Sequence, residues 1–286
     1  MSGVFSAIIE GIRKFIDGFM GTTPLEPIKR PSEAEKKEDE WANRNEVQRT
    51  YKWDLDSLKK RKLHGELSLS FSKEEIQELR RLNPFNSYGS DGNSYADNIR
   101  IMFRYWLENP TQREKVRTVA SYIRRRIVRA NYSELDMVQF ALDFVQAPNI
   151  VYRVDEECES IKYIKEYMRF PDEVLFDKEG DCDCKSSLMA AIFHELGYNV
   201  IIMLSQGLGH AAIGLECGKG WLNQIKPRML HSVMRTYNGK RYLFCETTGD
   251  GFKIGEIRHS DSVKSFDTII EIEKEKGSLV KPCVCL

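Results

Sequence analysis

The chain carries, in order, a thiol at Cys182, an imidazole at His210 and a carboxylate at Glu246, three groups that together can transfer an acyl group. Cys182 lies in GDCDCKSSLMAAIFHELG, where a Gly-Asp turn runs into Leu188, Met189, Ile192, Phe193 and Leu196 at helical spacing. That pattern predicts a buried amphipathic helix with the thiol at its N-terminus and Gly197 as its left-handed stop. A cysteine in a first helical turn meets unsatisfied N–H groups and the positive dipole end, which favour thiolate over thiol. Asp181 and Asp183 oppose this, so a cation is needed, and His210 in SQGLGHAAIGLE is the candidate. An imidazole used as a base needs a third group on its other nitrogen. Glu246 ends the apolar run RYLFCE, and adjacent antiparallel strands can bring it beside His210.

Taken singly, each residue has a plainer reading. A buried cysteine is usually a small core residue, a strand histidine a satisfied polar group, and an acid at a strand end a cap. Their succession after a Gly-Asp turn, in an order one fold can assemble, favours chemistry. A zinc site built from Cys182, Cys184, His194, Cys217 and Cys245 is disfavoured, because C-x-C stands without a second C-x-x-C or H-x-x-x-H. Cys184 reads as a neutral wall residue and His194 as a surface residue of the helix. His231 and His259 have no identifiable partner.

The elements that must position these groups follow from periodicity. Residues 51–71 alternate apolar and polar, predicting a strand pair with Trp53, Leu55, Leu67, Leu69 and Phe71 inward. Ser72 with Glu75 reads as a capping box opening a helix. A Gly/Asn/Ser/Asp loop at 85–95 precedes helices over 97–108 and 110–130, the second with a stripe of Val116, Val119, Ala120, Ile123 and Ile127. A helix capped by Ser133 closes at Pro148. After the Cys182 helix come NVIIMLS, HAAIGLEC and KRYLFCET, three runs of strand type. Helices followed by grouped strands predict an α+β fold with an antiparallel sheet.

Composition narrows the class. Among 286 residues, 43 basic balance 43 acidic ones, which argues against bulk attraction to nucleic acid, and the basic run 121–129 reads as a solvated helix face. Seven cysteines without framework spacing, and a first apolar run broken by Glu10 and Asp17, predict a cytoplasmic protein without a secretory signal. Phe5, Ile8, Ile9, Ile12, Phe15, Ile16 and Phe19 make 1–21 an amphipathic helix suited to packing on the protein itself, on a partner or on a membrane surface. The closing CVCL matches a prenylation box on Cys283, a candidate for membrane association.

These residues resemble the transglutaminase-like superfamily, with its papain-like core. The similarity runs over about 135–258 through GDC (180–182), ELGYNV, GHAAIGLE and FCETTGDGFKIG, with FVQAPNIVY and YMRFPDEVLFDKEGDC upstream. The resemblance implies a central helix carrying the nucleophile on an antiparallel sheet, beside a helical N-terminal region. It implies Cys182 as nucleophile, His210 as base, and Glu246 where the family usually has aspartate. Gln146 would stand as an oxyanion donor beside the N–H of Cys182. The organisation expected is an amphipathic helix (1–21), a charged linker (22–48), a strand pair and helices (49–132), the transglutaminase-like core (133–260), and a C-terminal strand and tail (261–286). The activity implied is a cysteine-dependent hydrolysis of a peptide or isopeptide bond in a protein substrate, needing no cofactor and no metal. The alternatives are amine transfer to glutamine, as in a transglutaminase, and a non-catalytic binding module of the same fold.

Overall fold

The structure is a computed structural model that describes residues 45–56, 62–146, 148–157, 166–218, 220–225, 234–256 and 265–272. The expected amphipathic helix, most of the charged linker, His231, His259 and Cys283 lie outside the described residues. What is described is mixed α+β: six α-helices, one long and one short two-stranded pairing and a five-stranded antiparallel sheet.

The strand pair is β1 (Glu46–Asp56) and β2 (Lys62–Ser72), antiparallel with Glu46 opposite Ser72 and Asp56 opposite Lys62. β1 begins inside the segment expected as linker, because Val47 and Arg49 pair with Phe71 and Leu69. Period-two alternation turns Tyr51, Trp53, Leu55, Leu69 and Phe71 inward, whereas Leu67 is only partly covered. The Trp53 indole stacks on Phe140 at 4.9 Å between centroids and donates to the Phe140 carbonyl at 3.0 Å.

The helices follow their caps. α1 (Lys73–Leu82) starts at Ser72, whose hydroxyl accepts from Glu75 N–H at 3.3 Å; the box is not reciprocal, since Ser72 Oγ donates to Glu74 at 3.1 Å. α2 (Tyr95–Glu108) starts two residues earlier than the periodicity predicts, at a full capping box of Ser94 and Asp97. α3 (Glu114–Arg129) starts later, because Pro110 and Thr111 form the preceding turn; its expected stripe is buried. The basic run on α3 is more than a solvated face. Arg124 donates to the Leu196 carbonyl at 2.8 Å and Arg126 to that of His64 at 2.7 Å, tying α3 to two other elements. α4 (Glu134–Val145) opens on a Ser133–Asp136 capping box.

The approach to Cys182 is built by α5 (Pro171–Asp177) and a two-residue parallel pairing of β3 (Val151–Tyr152) with β4 (Glu179–Gly180). β1 braces it. Tyr51 Oη donates to the Leu175 carbonyl, Arg49 to that of Phe176 at 2.7 Å, and Lys178 to that of Thr50 at 2.9 Å. The helix α6 (Cys182–Glu195) then runs through the middle of the molecule, with α3, α4 and α5 against it on one side and the sheet on the other.

That sheet has the order β7 (Met234–Tyr237), β8 (Lys240–Cys245), β6 (His210–Glu216), β5 (Val200–Ser205), β9 (Thr268–Ile272), every neighbour antiparallel. β9 is the expected C-terminal strand. β7 is an addition, turned into β8 by Asn238 and Gly239, both with positive φ (47° and 73°), as a tight hairpin turn requires.

Packed on two sides, α6 has no wet face, and this corrects one expectation. His194 is not a surface residue: it is 6 % exposed, edge-on to Trp106 at 6.2 Å. Lys185, Ser186 and Ser187 are wholly buried on the same helix.

Candidate active site

Cys182 opens α6 because Asp181 caps it, its carboxylate accepting from the Cys184 N–H at 3.3 Å. Gly180 is required just before. A Cβ there would stand 2.5 Å from the Cys184 Cβ, so β4 can turn this tightly into the helix only without a side chain. His210 is the first residue of β6, opposite Ser205, after the turn through Gly209, whose φ is +56°. Glu246 directly follows β8, where Cys245 pairs with Ile213. Continuing that register sets Glu246 across from Ala212, diagonal to His210 on one sheet face.

The acid and the imidazole meet: His210 Nε2 lies 3.2 Å from Glu246 Oε2. The other carboxylate oxygen accepts from the Thr248 N–H at 3.0 Å and its hydroxyl at 2.6 Å, so the acid is held from both ends. Burial alone would raise the Glu246 pKa, but His210 and Thr248 outweigh it and bring it down to about 2. Burial disfavours the His210 cation, yet hydrogen bonding to Cys182 and to Glu246, with their charges, carries its pKa up to about 10. With Nε2 donating to Glu246, Nδ1 is the nitrogen left for the thiol.

Cys182 and His210 share a cleft of about 730 Å³, also lined by Tyr88, Tyr95, Tyr152, Asp155, Asp181 and Asp183. Tyr152 is a site residue that periodicity does not reveal. Its strand pairs with β4, and its phenol pKa rises to about 12 through burial first and then the Cys182 charge. The one available signal was the extended NIVY stretch before the nucleophile. Lys185, one turn into α6, is also absent from the sequence reading. Its ammonium donates to the Ile150 carbonyl at 2.7 Å and so fixes the start of β3, while burial lowers its pKa to about 8.

Gln146 does not serve as expected. The residue is 2 % exposed, and its amide nitrogen donates to the Glu246 carbonyl at 3.0 Å and the Phe252 carbonyl at 3.2 Å. Both amide hydrogens are therefore spent on holding the backbone that carries the acid, and neither is left for an oxyanion. Ending α4 just before Gln146 is what turns the side chain toward those carbonyls.

Among the described residues, the metal-ligating side chains that converge are Asp155, Asp181 and Cys184, within 4.8 Å of one another; Cys182, His194, Cys217 and Cys245 do not join them. That cluster has its own cation. Arg169, wholly buried, places Nη1 3.5 Å from Cys184 Sγ and 3.7 Å from Asp155 Oδ1. Burial pushes the Cys184 thiol well up, and it donates to the Tyr167 carbonyl at 3.5 Å as a neutral wall residue. No described helix is long and apolar enough to cross a membrane.

Comparisons of the chain with protein-family models, with curated proteins and with solved structures returned no match. The functional reading therefore rests on the residues and their geometry.

Proposed function

We propose that the protein is a cysteine-dependent acyl-transfer enzyme with a Cys182–His210–Glu246 triad and a transglutaminase-like, papain-like core. The observation that carries the reading is one imidazole 3.2 Å from Glu246 Oε2 that lines the same cleft as Cys182, whose thiol helps to raise its pKa. In the favoured reaction, hydrolysis of a peptide or isopeptide bond, the sulfur of Cys182 attacks the carbonyl carbon while His210 holds the proton. The N–H of Cys182, in the first turn of α6, faces the developing oxyanion. The C–N bond breaks as His210 returns its proton to the leaving amine. Water, deprotonated by His210, then attacks the thioester and releases a carboxylic acid and the free thiol. Transfer to a primary amine shares the first half and differs only in what attacks the thioester.

The test has two arms. Iodoacetamide is applied near neutral pH to the wild type and to His210→Ala, and alkylation of Cys182 is read by peptide mass. The expected outcome is a rate at Cys182 at least about tenfold above that at Cys217, lost in the variant. A peptide library is then incubated with and without a fluorescent primary amine, with Cys182→Ala as control. New carboxyl termini support hydrolysis and amine incorporation supports cross-linking. Alkylation at Cys182 no faster than at Cys217, with no product in either arm, would leave only the non-catalytic binding module.

A further inference from the structure

The cleft that holds Cys182 and His210 is lined by four carboxylates, Asp155, Glu166, Asp181 and Asp183; among the described residues no lysine or arginine lines it, and its basic side chain, His210, is paired with Glu246. This is a local arrangement, since the whole chain balances 43 basic residues against 43 acidic ones. Asp155 and Asp183 are 4 % and 5 % exposed, and in each an Oδ1 has no hydrogen-bond partner. Asp155 has a cation behind it, Arg169 Nη1 at 3.7 Å, which Asp177 shares through Arg169 Nε at 3.2 Å. Asp183 makes no ion pair among the described residues; hydrogen bonds at the start of α6 support its carboxylate, but burial outweighs them. Buried carboxylate charge without a counterion is unfavourable, and a cation brought into the same low-dielectric cleft relieves it without touching every oxygen. Tyr88, Tyr95 and Tyr152 add aromatic faces to the cleft, suited to a guanidinium or ammonium and to its aliphatic stem.

We propose that the cleft receives a lysine or arginine side chain of a polypeptide substrate, next to the carbonyl that Cys182 attacks. The position of that carbonyl rests on the acyl-transfer reading; the preference for positive charge is a binding property and stands apart from it. Burial raises Asp155 to about 7 and Asp183 to about 6, so both hold part of their protons near neutrality and a bound cation draws them toward the carboxylate. Tyr88 and Tyr152, 38 % and 46 % exposed at the cleft, offer apolar surface to the flanking chain, which favours a polypeptide over a free polyamine.

The test removes the chemistry. Full-length Cys182→Ser protein is immobilised and exposed to a library of acetylated, amidated hexapeptides, and the retained peptides are sequenced. Lysine or arginine should be enriched at one position. The best arginine peptide is then compared with its citrulline twin by calorimetry. Citrulline should weaken binding about tenfold or more, and the difference should shrink between about 0.05 M and about 0.5 M salt. Asp183→Asn and, separately, the more exposed Glu166→Gln should each reduce the arginine–citrulline difference. No retained peptides, enrichment of neutral or acidic residues, equal affinity of the twins, or an undiminished difference in both variants overturns the proposal. Spermidine binding as tightly as the peptide overturns its polypeptide part. Because the thiol is absent throughout, failure here leaves the acyl-transfer reading intact. Basic enrichment beside an inert Cys182 in the wild type would instead keep the subsite and sink the enzyme.

Discussion

At the scale of single residues, the carboxylate sets the imidazole. Glu246 is one methylene longer than the aspartate expected of the resemblance, and the structure accommodates it by spending one oxygen on Thr248 and the other on His210. In Glu246→Gln the amide has a single acceptor oxygen; kept on Thr248, it turns the amide nitrogen to His210 Nε2, which must then accept, so the imidazole is held in the other tautomer. Under the proposed function, acyl transfer is expected to fall by roughly 10²–10⁴-fold. The His210 pKa, read by imidazole NMR titration, should move from about 10 back toward its ordinary 6.5. An unchanged titration would remove Glu246 as the partner that sets His210. Gln146 teaches the converse lesson at this scale. Its residue type suited an oxyanion donor, but a primary amide has two hydrogens and both are committed to main-chain carbonyls. Nothing in the sequence marks Glu246 O and Phe252 O as their acceptors, since those atoms are 100 and 106 residues away.

Among the elements, the turn from β4 into α6 carries the most consequence. Gly180 allows Cys184 to sit where a Cβ would otherwise be, and Cys184 in turn contacts Arg169 and Tyr167. Gly180→Ala is expected to destabilise the protein by about 1–3 kcal/mol through overpacking. It should also slow Cys182 alkylation, because the first turn of α6 must shift. Urea unfolding and peptide mass read the two effects, and a wild-type result in both would refute this account of the turn. Much of this level was legible. Ser133 opens a helix as expected of a capping residue, and the stripe of Val116, Val119, Ala120, Ile123 and Ile127 is the buried face of α3. β7 went unread although Asn238-Gly239 is a strong hairpin signal, because MRTY is short and alternates weakly. The surface reading of His194 failed for a different reason. It assumed one buried stripe, and a helix covered by helices and by a sheet has none to spare for water.

For the whole molecule, the charges of Glu246 and His210 make stability depend on pH. Glu246 is about 2 in the folded state against an ordinary 4.5, so its contribution is whole above 4.5 and is lost as pH falls toward 2. His210 is about 10 against 6.5, so its contribution is whole below 6.5 and is lost as pH rises through 10. The two overlap fully between 4.5 and 6.5. The difference in unfolding free energy between wild type and Glu246→Gln should therefore be largest in that window and shrink on either side. Urea titrations across the range check it, and a difference independent of pH would contradict the pairing. At this scale the sequence by itself determined most of the longer elements, their order, and which thiol, imidazole and acid were available, because caps, periodicities and turn residues act over a few positions. Only the tertiary structure decided that β6 lies between β5 and β8, bringing His210 to Glu246 across 36 residues, that α6 is buried on both sides, and that four acids share one cleft. Those outcomes follow from strand register and layer packing, which join residues far apart in the chain and leave no local pattern to read.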